Sequence, residues 1–394
     1  MPVTLRDVAR LAGVSAATAS LALNGKGTVS AATRERVVEA ARKLDYYPNG
    51  LARGLVTRSS HTIGLVVPDI TNSYFHDFAK GVEEAAWAAG YTVILGNSDR
   101  EPATELRYVS VLREKGIDGL ILAGAGVAHH PELAARVAAL QGDGVPVVVA
   151  GRSFLPAPAV VVEDVAGAIE ATQHLIRLGH RRVAHITGPR DHLTGQDRLE
   201  GFRLAMKAGG LSVREHWVVP GDFSADGGFQ AMQSLLDRAP VPTAVFCGND
   251  LTAVGAMRAT RLAGLRIPQD ISIVGFGDIR LASYLDPPLS TVRVPLHELG
   301  RAAGERLLQF MTHARHAAGQ EQAGGGAARL AAKQDGQPLT IPVHLVIRES
   351  TAPPARSGPS RVPGSPREPV DLATGTPREP VRSTAASPAR RYDR

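Results

Sequence analysis

The sequence predicts a small all-α helix-turn-helix domain at the N-terminus, followed by a two-lobed α/β domain of parallel sheets with helices on both faces. Three observations carry that prediction. Three short helical patterns fill the first stretch of the chain, with glycine turns between them. Apolar strand-like runs then alternate with amphipathic helical stretches through most of the remainder. At 394 residues the chain also exceeds what one core usually holds.

Thr4 can cap a first helix whose third residue is Asp7, and Leu5, Val8 and Leu11 recur at helical spacing as a buried stripe. Gly13 ends that helix and permits a tight turn. Ser15 can cap a short second helix running to Asn24, with Ala19 and Leu23 facing the first. After a turn around Gly25–Gly27, Ser30 opens a third helix carrying Val37, Val38, Ala41 and Leu44 inward. Two short helices joined by a glycine turn and braced by a third describe a helix-turn-helix unit.

The unit spans residues 1–47, and residues 48–60 read as a linker. From His61 to about residue 350, strands are expected at Ile63–Val67, Thr92–Leu95, Gly119–Ala123, Val147–Ala150, Val183–Thr187, Ala244–Cys247 and Ile271–Phe276. Helical stretches lie between them at Phe78–Ala89, Leu106–Lys115, Val165–Leu178, Thr194–Ala208, Gly228–Leu236 and Leu251–Ala263. Such alternation gives parallel sheets covered by helices, and the length suits two lobes with a ligand cleft between them. Residues 314–338 read as a loop insertion before a final strand Ile341–Ile347. The tail, residues 351–394, is rich in Pro, Arg, Ser and Ala and repeats PREPV, a composition that cannot bury a core and reads as disordered.

Charge is spread unevenly. Residues 1–60 hold nine Lys/Arg against four acids and residues 351–394 eight against four, so a total of +6 leaves the middle at −3. A basic head on a slightly acidic body points to a head that meets a polyanion. In the tail, the arginines either add a nonspecific hold on DNA or are simply solvated. Cys247 is the only cysteine, which excludes an internal disulfide and a cysteine-rich zinc site. No run approaches the ~18 apolar residues of a membrane helix, so no membrane partner is expected. The opening MPVTLRDVARLAGVS carries charges where a secretory signal needs apolar residues, and a cytoplasmic protein is expected. There is no GxxxxGK[ST], HExxH or GxSxG element. The chain therefore does not read as an enzyme, and no cofactor or metal is expected.

Residues 4–25, TLRDVARLAGVSAATASLALNG, and residues 28–55, TVSAATRERVVEAARKLDYYPNGLARGL, resemble the lactose-repressor/galactose-repressor family in order and spacing. The resemblance runs on through IGLVVPDITNSYFHDFAKG, RLGHRRVAHITGP, TGQDRLEGFRLAM, PTAVFCGNDLTAVGAMRA and IPQDISIVGFGDIR, covering residues 3–350 or so. It implies a transcriptional repressor with a periplasmic-binding-protein-like sensor, whose chain crosses between lobes near Val160, near Ser290 and around residue 320. It also implies a homodimer on a pseudo-palindromic double-stranded DNA operator, and hence nucleoid association. The expected effector is a small molecule, most often a sugar, with purines and other metabolites left open. Release of DNA by the effector is favoured over corepression.

By the same resemblance, Ala16 and Ala17, with Ser20 and Leu21 one turn later, would face base edges in the major groove. Thr4, Ser15, Asn24, Ser30 and Thr33 would meet phosphates, which fixes register without reading sequence. Asn49 and Ala52 would belong to a hinge helix that folds on the operator, with Leu55 wedged into a minor-groove step. Ala16, Ala17 and Leu21, the last in place of a frequent arginine, offer apolar contacts only, so DNA shape should weigh more in recognition. Expected effector residues are Asp69, Asn72, Tyr74 and Phe75 after the first strand; His192, Thr194 and Arg198 after the Thr187–Gly188–Pro189 turn; and Phe223, Asn249, Asp250 and Asp278 after later strands. All lie beyond strand C-terminal ends, where open α/β sheets bind ligands. Asp250 is either a ligand contact or a helix cap, Arg198 either a contact or a structural ion-pair residue, and Tyr74 and Phe75 either contacts or core. The family often carries an acid where Gly277 stands, which leaves the role of Asp278 and the particular ligand open.

Overall fold

A computed structural model describes residues 3–24, 29–46, 59–124, 131–320 and 337–355, with side chains as far as residue 314 in the last long helix. Its head is three helices, α1 (Leu5–Ala12), α2 (Ala16–Leu23) and α3 (Ala31–Lys43). Each start is held by the expected residue. The Asp7 carboxylate accepts from the Thr4 N–H at 3.0 Å and from its hydroxyl at 2.6 Å. Ser15 accepts from the Thr18 N–H, and Ser30 from the Thr33 N–H. Gly13 closes α1 at φ 66°, a left-handed turn that glycine enters without strain.

The core of the head is built from small side chains: Val8, Ala9, Ala12, Ala19, Ala22, Val37, Ala40 and Ala41 are buried together. Two expected core positions are corrected. Leu11 is 53% exposed and Val38 50% exposed. On a 100° per residue helix the buried face of α1 is Leu5, Val8, Ala9 and Ala12, and Leu11 falls off its edge. On α3 the face is Val37, Ala40, Ala41 and Leu44, and Val38 points one step round from it. Alanine at the contacts lets three short helices close on one another.

The body comprises β1 (Thr62–Val67), α4 (Tyr74–Ala88), β2 (Thr92–Asn97), α5 (Pro102–Glu114), β3 (Gly119–Ala123), α6 (Pro131–Gly142), β4 (Val147–Ala150) and β5 (Ala159–Val162). It continues with α7 (Asp164–Arg177), β6 (Val183–Thr187), α8 (Leu193–Ala208), β7 (Val218–Pro220), α9 (Ala225–Leu236), β8 (Ala244–Cys247), α10 (Asp250–Leu262), β9 (Ser272–Gly277) and β10 (Ser290–Arg293). Helix α11 (Leu296–Gln320) and strands β11 (Leu339–Ile341) and β12 (His344–Val346) complete it. Two six-stranded sheets result, ordered β11-β5-β4-β3-β1-β2 and β12-β10-β9-β8-β6-β7. The pairings are parallel except for β10 with β12.

Both faces of each sheet are covered, which is why the central strands are continuous apolar runs. In β3, Ile121 and Ala123 pack with Phe78 and Val82 on one face, while Leu120 and Leu122 pack with Leu112 and Val137 on the other. In β8, Ala244 and Phe246 alternate in the same way with Val245 and Cys247. Helix α11 returns to the first lobe and lies along α4. Glycine permits that approach: a Cβ on Gly81 would overlap the His297 carbonyl, and one on Gly300 the Phe78 carbonyl.

The first crossing between lobes follows β5 at Glu163 and the second follows β10 at Val294–Pro295, close to the expected places. The third is corrected. Residue 320 is still inside α11, and the chain crosses between β11 and β12, which belong to different sheets. The expected strand Ile341–Ile347 is thus two strands broken at Pro342, which lacks the N–H a ladder needs. Residues 314–320 of the expected insertion continue α11, and residues 321–336 lie outside the described residues. The body does not stop at 350. Thr351 is hydrogen-bonded to His174 at 2.9 Å, and the Ala352 carbonyl accepts from His180 at 2.9 Å. Residues 356–394 of the tail lie outside the described residues.

One buried group makes the second lobe sensitive to acid. His185 stacks between Phe202 and Phe246, with ring centroids 5.1 and 4.6 Å away. Its Nδ1–H donates to the Phe246 carbonyl at 2.8 Å, while buried Nε2 has no partner among the described residues. Burial drives its pKa down from 6.5 to about 4, so the folded ring is neutral. The unfolded chain binds the proton more readily. Stability from this group is therefore full above pH 6.5 and is lost as pH falls towards 4. Denaturant titrations of the wild type and His185→Phe should differ in pH slope over that window, with on the order of 3 kcal/mol lost by the wild type alone.

Candidate functional site

Two regions gather the predicted residues. On the head, Ala16, Ala17 and Leu21 of α2 are exposed and Ser20 is half-buried, while Ala19 and Ala22 anchor the opposite side in the core. An apolar outward face at the start of a short helix is thereby presented to solvent. Thr4, Ser15 and Ser30 are exposed helix-cap residues, and Thr33 is half-buried beneath Ser30. Asn24 ends α2, donating to the Ser20 carbonyl at 2.9 Å. The exposed cations Arg6, Arg10, Arg36, Arg42 and Lys43 share this small domain. Asn49, Ala52 and Leu55 lie outside the described residues.

The second region is a cavity of about 240 Å³ between the two sheets, at the C-terminal ends of their strands. Of the eleven expected effector residues, eight line it: Asn72, Tyr74, Phe75, His192, Thr194, Arg198, Phe223 and Asn249. The first lobe contributes an aromatic wall, Tyr74 edge-on to Phe75 at 5.1 Å with Phe78 behind. The second contributes Phe223 edge-on to His192 at 5.5 Å. Phe223 is held at φ 65° and its ring covers Gly188, where a Cβ would collide with it.

Arg198 is the polar centre of the second lobe. Its side chain is 5% exposed, pairs with Asp164 at 2.7 Å, and donates to the Gly248 carbonyl at 2.6 Å. The guanidinium carbon lies 3.7 Å above the Phe276 ring centroid. Burial raises the pKa of the Asp164 carboxyl, and the charge and hydrogen bond of Arg198 offset part of that rise at the cleft floor. Arg198 is a buried ion-pair residue that also lines the cavity.

Two arginines span the lobes. Arg100 of the first lobe donates to the Asp222 carbonyl of the second at 2.7 Å and pairs with Asp69 at 3.0 Å. Arg152 of the first lobe pairs with Asp197 on α8.

Three expected contacts are corrected. Asp69 does not line the cavity; it holds Arg100 and accepts from the Thr71 N–H and hydroxyl. Asp250 is 1% exposed and faces away, accepting from the Thr291 hydroxyl at 2.5 Å and the Ile279 N–H at 2.8 Å. Burial pushes its carboxyl up to about 6. Nor is it the cap of α10, since Asn249, one residue earlier, accepts from the Thr252 N–H at 2.8 Å. Asp278 is taken by Arg293 at 2.5 Å and Arg348 at 2.6 Å, tying the end of β9 to the C-terminal segment.

Sequence reasoning missed Ser98, Arg100, Glu105, Arg152, Asp164 and Asp191 on the cavity wall. Ser98, Arg100 and Arg152 follow the ends of β2 and β4, so the strand-end rule that found Asn72 could have found them. Among the described residues no group of His, Cys, Asp or Glu is placed to hold a metal ion. No helix among them is long and apolar enough to cross a membrane.

Residues 4–49 match the family described as bacterial regulatory proteins, lacI family. Residues 60–323 match the one described as periplasmic binding proteins and sugar binding domain of LacI family. The chain belongs to the LacI family. Among LacI-family relatives, the ribose operon repressor of Escherichia coli (strain K12) is 39% identical over 311 residues, which cover 78% of this chain and 93% of that protein. The HTH-type transcriptional regulator DegA of Bacillus subtilis (strain 168) is 35% identical over 355 residues, 90% of this chain and 99% of that protein. The Lac repressor dimer bound to operator and the anti-inducer ONPF superimposes with a TM-score of 0.75 at 30% identity, covering 89% of this chain and 100% of that one. A LacI-family regulator from Enterococcus faecium with bound ribose gives 0.62 at 30% identity, covering 74% and 99%.

Proposed function

We propose that this LacI-family chain is a transcriptional repressor, a homodimer that grips a pseudo-palindromic operator through α2 and releases it when a sugar fills the cleft between the lobes. The observation that carries the reading is the joining, in one chain, of an outward-facing helix-turn-helix to a cleft whose two walls come from different lobes. A ligand that touches both walls changes how the lobes sit, and a two-fold protein transmits that change to both half-sites.

In this reading, Ala16, Ala17, Ser20 and Leu21 approach the bases. Thr4, Ser15, Asn24, Ser30 and Thr33 approach the phosphates, and Asn49, Ala52 and Leu55 form the hinge. The eight cavity residues are the effector contacts, with aromatic faces for the C–H surface of a sugar and Arg198, Asn249 and His192 for its hydroxyls. A cavity of 240 Å³ suits one sugar ring better than a larger ligand. Relatives named for ribose make D-ribose the first compound to try. The protein acts in the cytoplasm, by binding and not by catalysis.

Fluorescence anisotropy of a labelled duplex from its own upstream region, against a random duplex of equal length, tests the DNA half of the proposal. Specific affinity should exceed the random duplex by about a thousandfold and fall steeply with salt as phosphate contacts release counterions. Equal binding to both duplexes would refute it.

A further inference from the structure

Every arginine in the cleft already has a carboxylate. Arg100 pairs with Asp69, Arg152 with Asp197 and Arg198 with Asp164. Two further acids line the same cavity, Asp191 at its exposed rim and Glu105 within it. Counted with their ion-pair partners, three guanidinium groups stand against five carboxylates, of which Asp164, Asp191 and Glu105 line the cavity itself. The positive charge that a phosphate would need is spent on the protein's own acids, and the surplus is negative.

Glu105 is the unusual member. It lies in the first turn of α5, opposite the arginine-centred wall of the second lobe. It is half-buried, and no described residue gives its carboxylate a hydrogen bond or an ion pair. Burial alone raises its pKa from 4.5 to about 7. A desolvated acid without a partner is costly to a folded protein, and it is relieved when a bound group donates hydrogen bonds to it.

Taking the cleft as the effector site proposed above, we infer that Glu105 recognises the ligand from the first lobe, selecting an uncharged, hydroxyl-bearing sugar and rejecting its phosphorylated counterpart. The carboxylate accepts from one or two sugar hydroxyls, while a phosphate brought into the same cavity meets two unpaired acids and no free cation among the described residues. Specificity of this kind comes from repulsion as much as from attraction.

The test uses full-length protein and isothermal titration near pH 8, where Glu105 is ionised. Three pairs serve as probes: D-ribose and D-ribose 5-phosphate, D-fructose and D-fructose 6-phosphate, D-glucose and D-glucose 6-phosphate. One uncharged sugar should bind the wild type, with its phosphate weaker by at least roughly tenfold. Glu105→Gln should weaken that sugar by roughly tenfold or more and narrow the gap to the phosphate. The ligand-free variant should melt at or above the wild-type temperature, because it loses a buried charge that has no partner; a purely structural role for Glu105 would lower it. Tighter binding of a phosphorylated member by the wild type overturns the inference without any variant. Unchanged sugar affinity in Glu105→Gln overturns it too and leaves the effector site standing. Silence of every pair overturns the sugar-effector reading itself, and this inference with it.

Discussion

Replacing Arg198 by alanine is expected to destabilise the protein by about 3–5 kcal/mol and to abolish effector binding. Both effects come from one geometry. The guanidinium is 5% exposed and supplies the counter-charge of the similarly buried Asp164. Without it, a carboxylate remains in low dielectric with no counter-charge, and the Gly248 carbonyl loses its donor. The stacking on Phe276 is lost as well.

Effector loss could be mistaken for misfolding, so a double variant separates them. Arg198→Met combined with Asp164→Leu removes both charges and fills the space with apolar atoms. It should recover most of the lost stability, since a buried pair replaced as a unit costs roughly nothing. Sugar binding should stay absent, because the cleft floor no longer offers a donor. Chemical denaturation reads the first quantity and isothermal titration the second. Retained binding in the double variant would remove Arg198 from the list of effector contacts.

The second large effect lies on the head. Ala17→Glu should weaken operator binding by about a hundredfold or more while leaving the fold intact. Ala17 is exposed in the first turn of α2, so its side chain supports no packing. A carboxylate there is even favourable to the helix, because it sits at the positive end of the dipole. Facing DNA it is brought among phosphates, where like charge costs several kcal/mol. Anisotropy against the operator should show the loss, with melting temperature and sugar affinity unchanged. Wild-type DNA affinity in this variant would mean that α2 does not enter the groove.

Much of the fold could be read from the residues. The seven expected strands recur, and most are apolar runs covered on both faces, as in Gly119–Ala123, which differ sharply from their surroundings; β2, at the sheet edge, is the more exposed one. The strands that escaped are short: β7 is three residues ending in Pro220, and β5 and β10, beside the crossings between lobes, are four each, while β11 and β12 were expected as one strand. Helix α11 escaped because much of its surface is polar, and its place is set by packing on α4.

In the cleft, residues that follow strand ends were legible because the parallel topology dictates where such loops lie. Glu105 was not, since it stands eight residues beyond the end of β2, past the loop and inside the next helix, where a lone acid in a polar first turn reads as solvated. Asp250 and Asp278 sit at the right sequence positions, but local geometry turns them to Thr291 and to Arg293 and Arg348. A position after a strand tells where a residue stands and not which neighbour claims its side chain.

The central claim is that the cleft and the head are coupled. The most direct measurement is operator affinity by anisotropy, with and without a saturating concentration of whichever sugar the titrations show to bind. Coupling predicts a weakening of roughly five- to a hundredfold with that sugar, and by linkage the same loss of sugar affinity when operator is bound. Operator affinity that stays the same with the cleft filled would contradict the account.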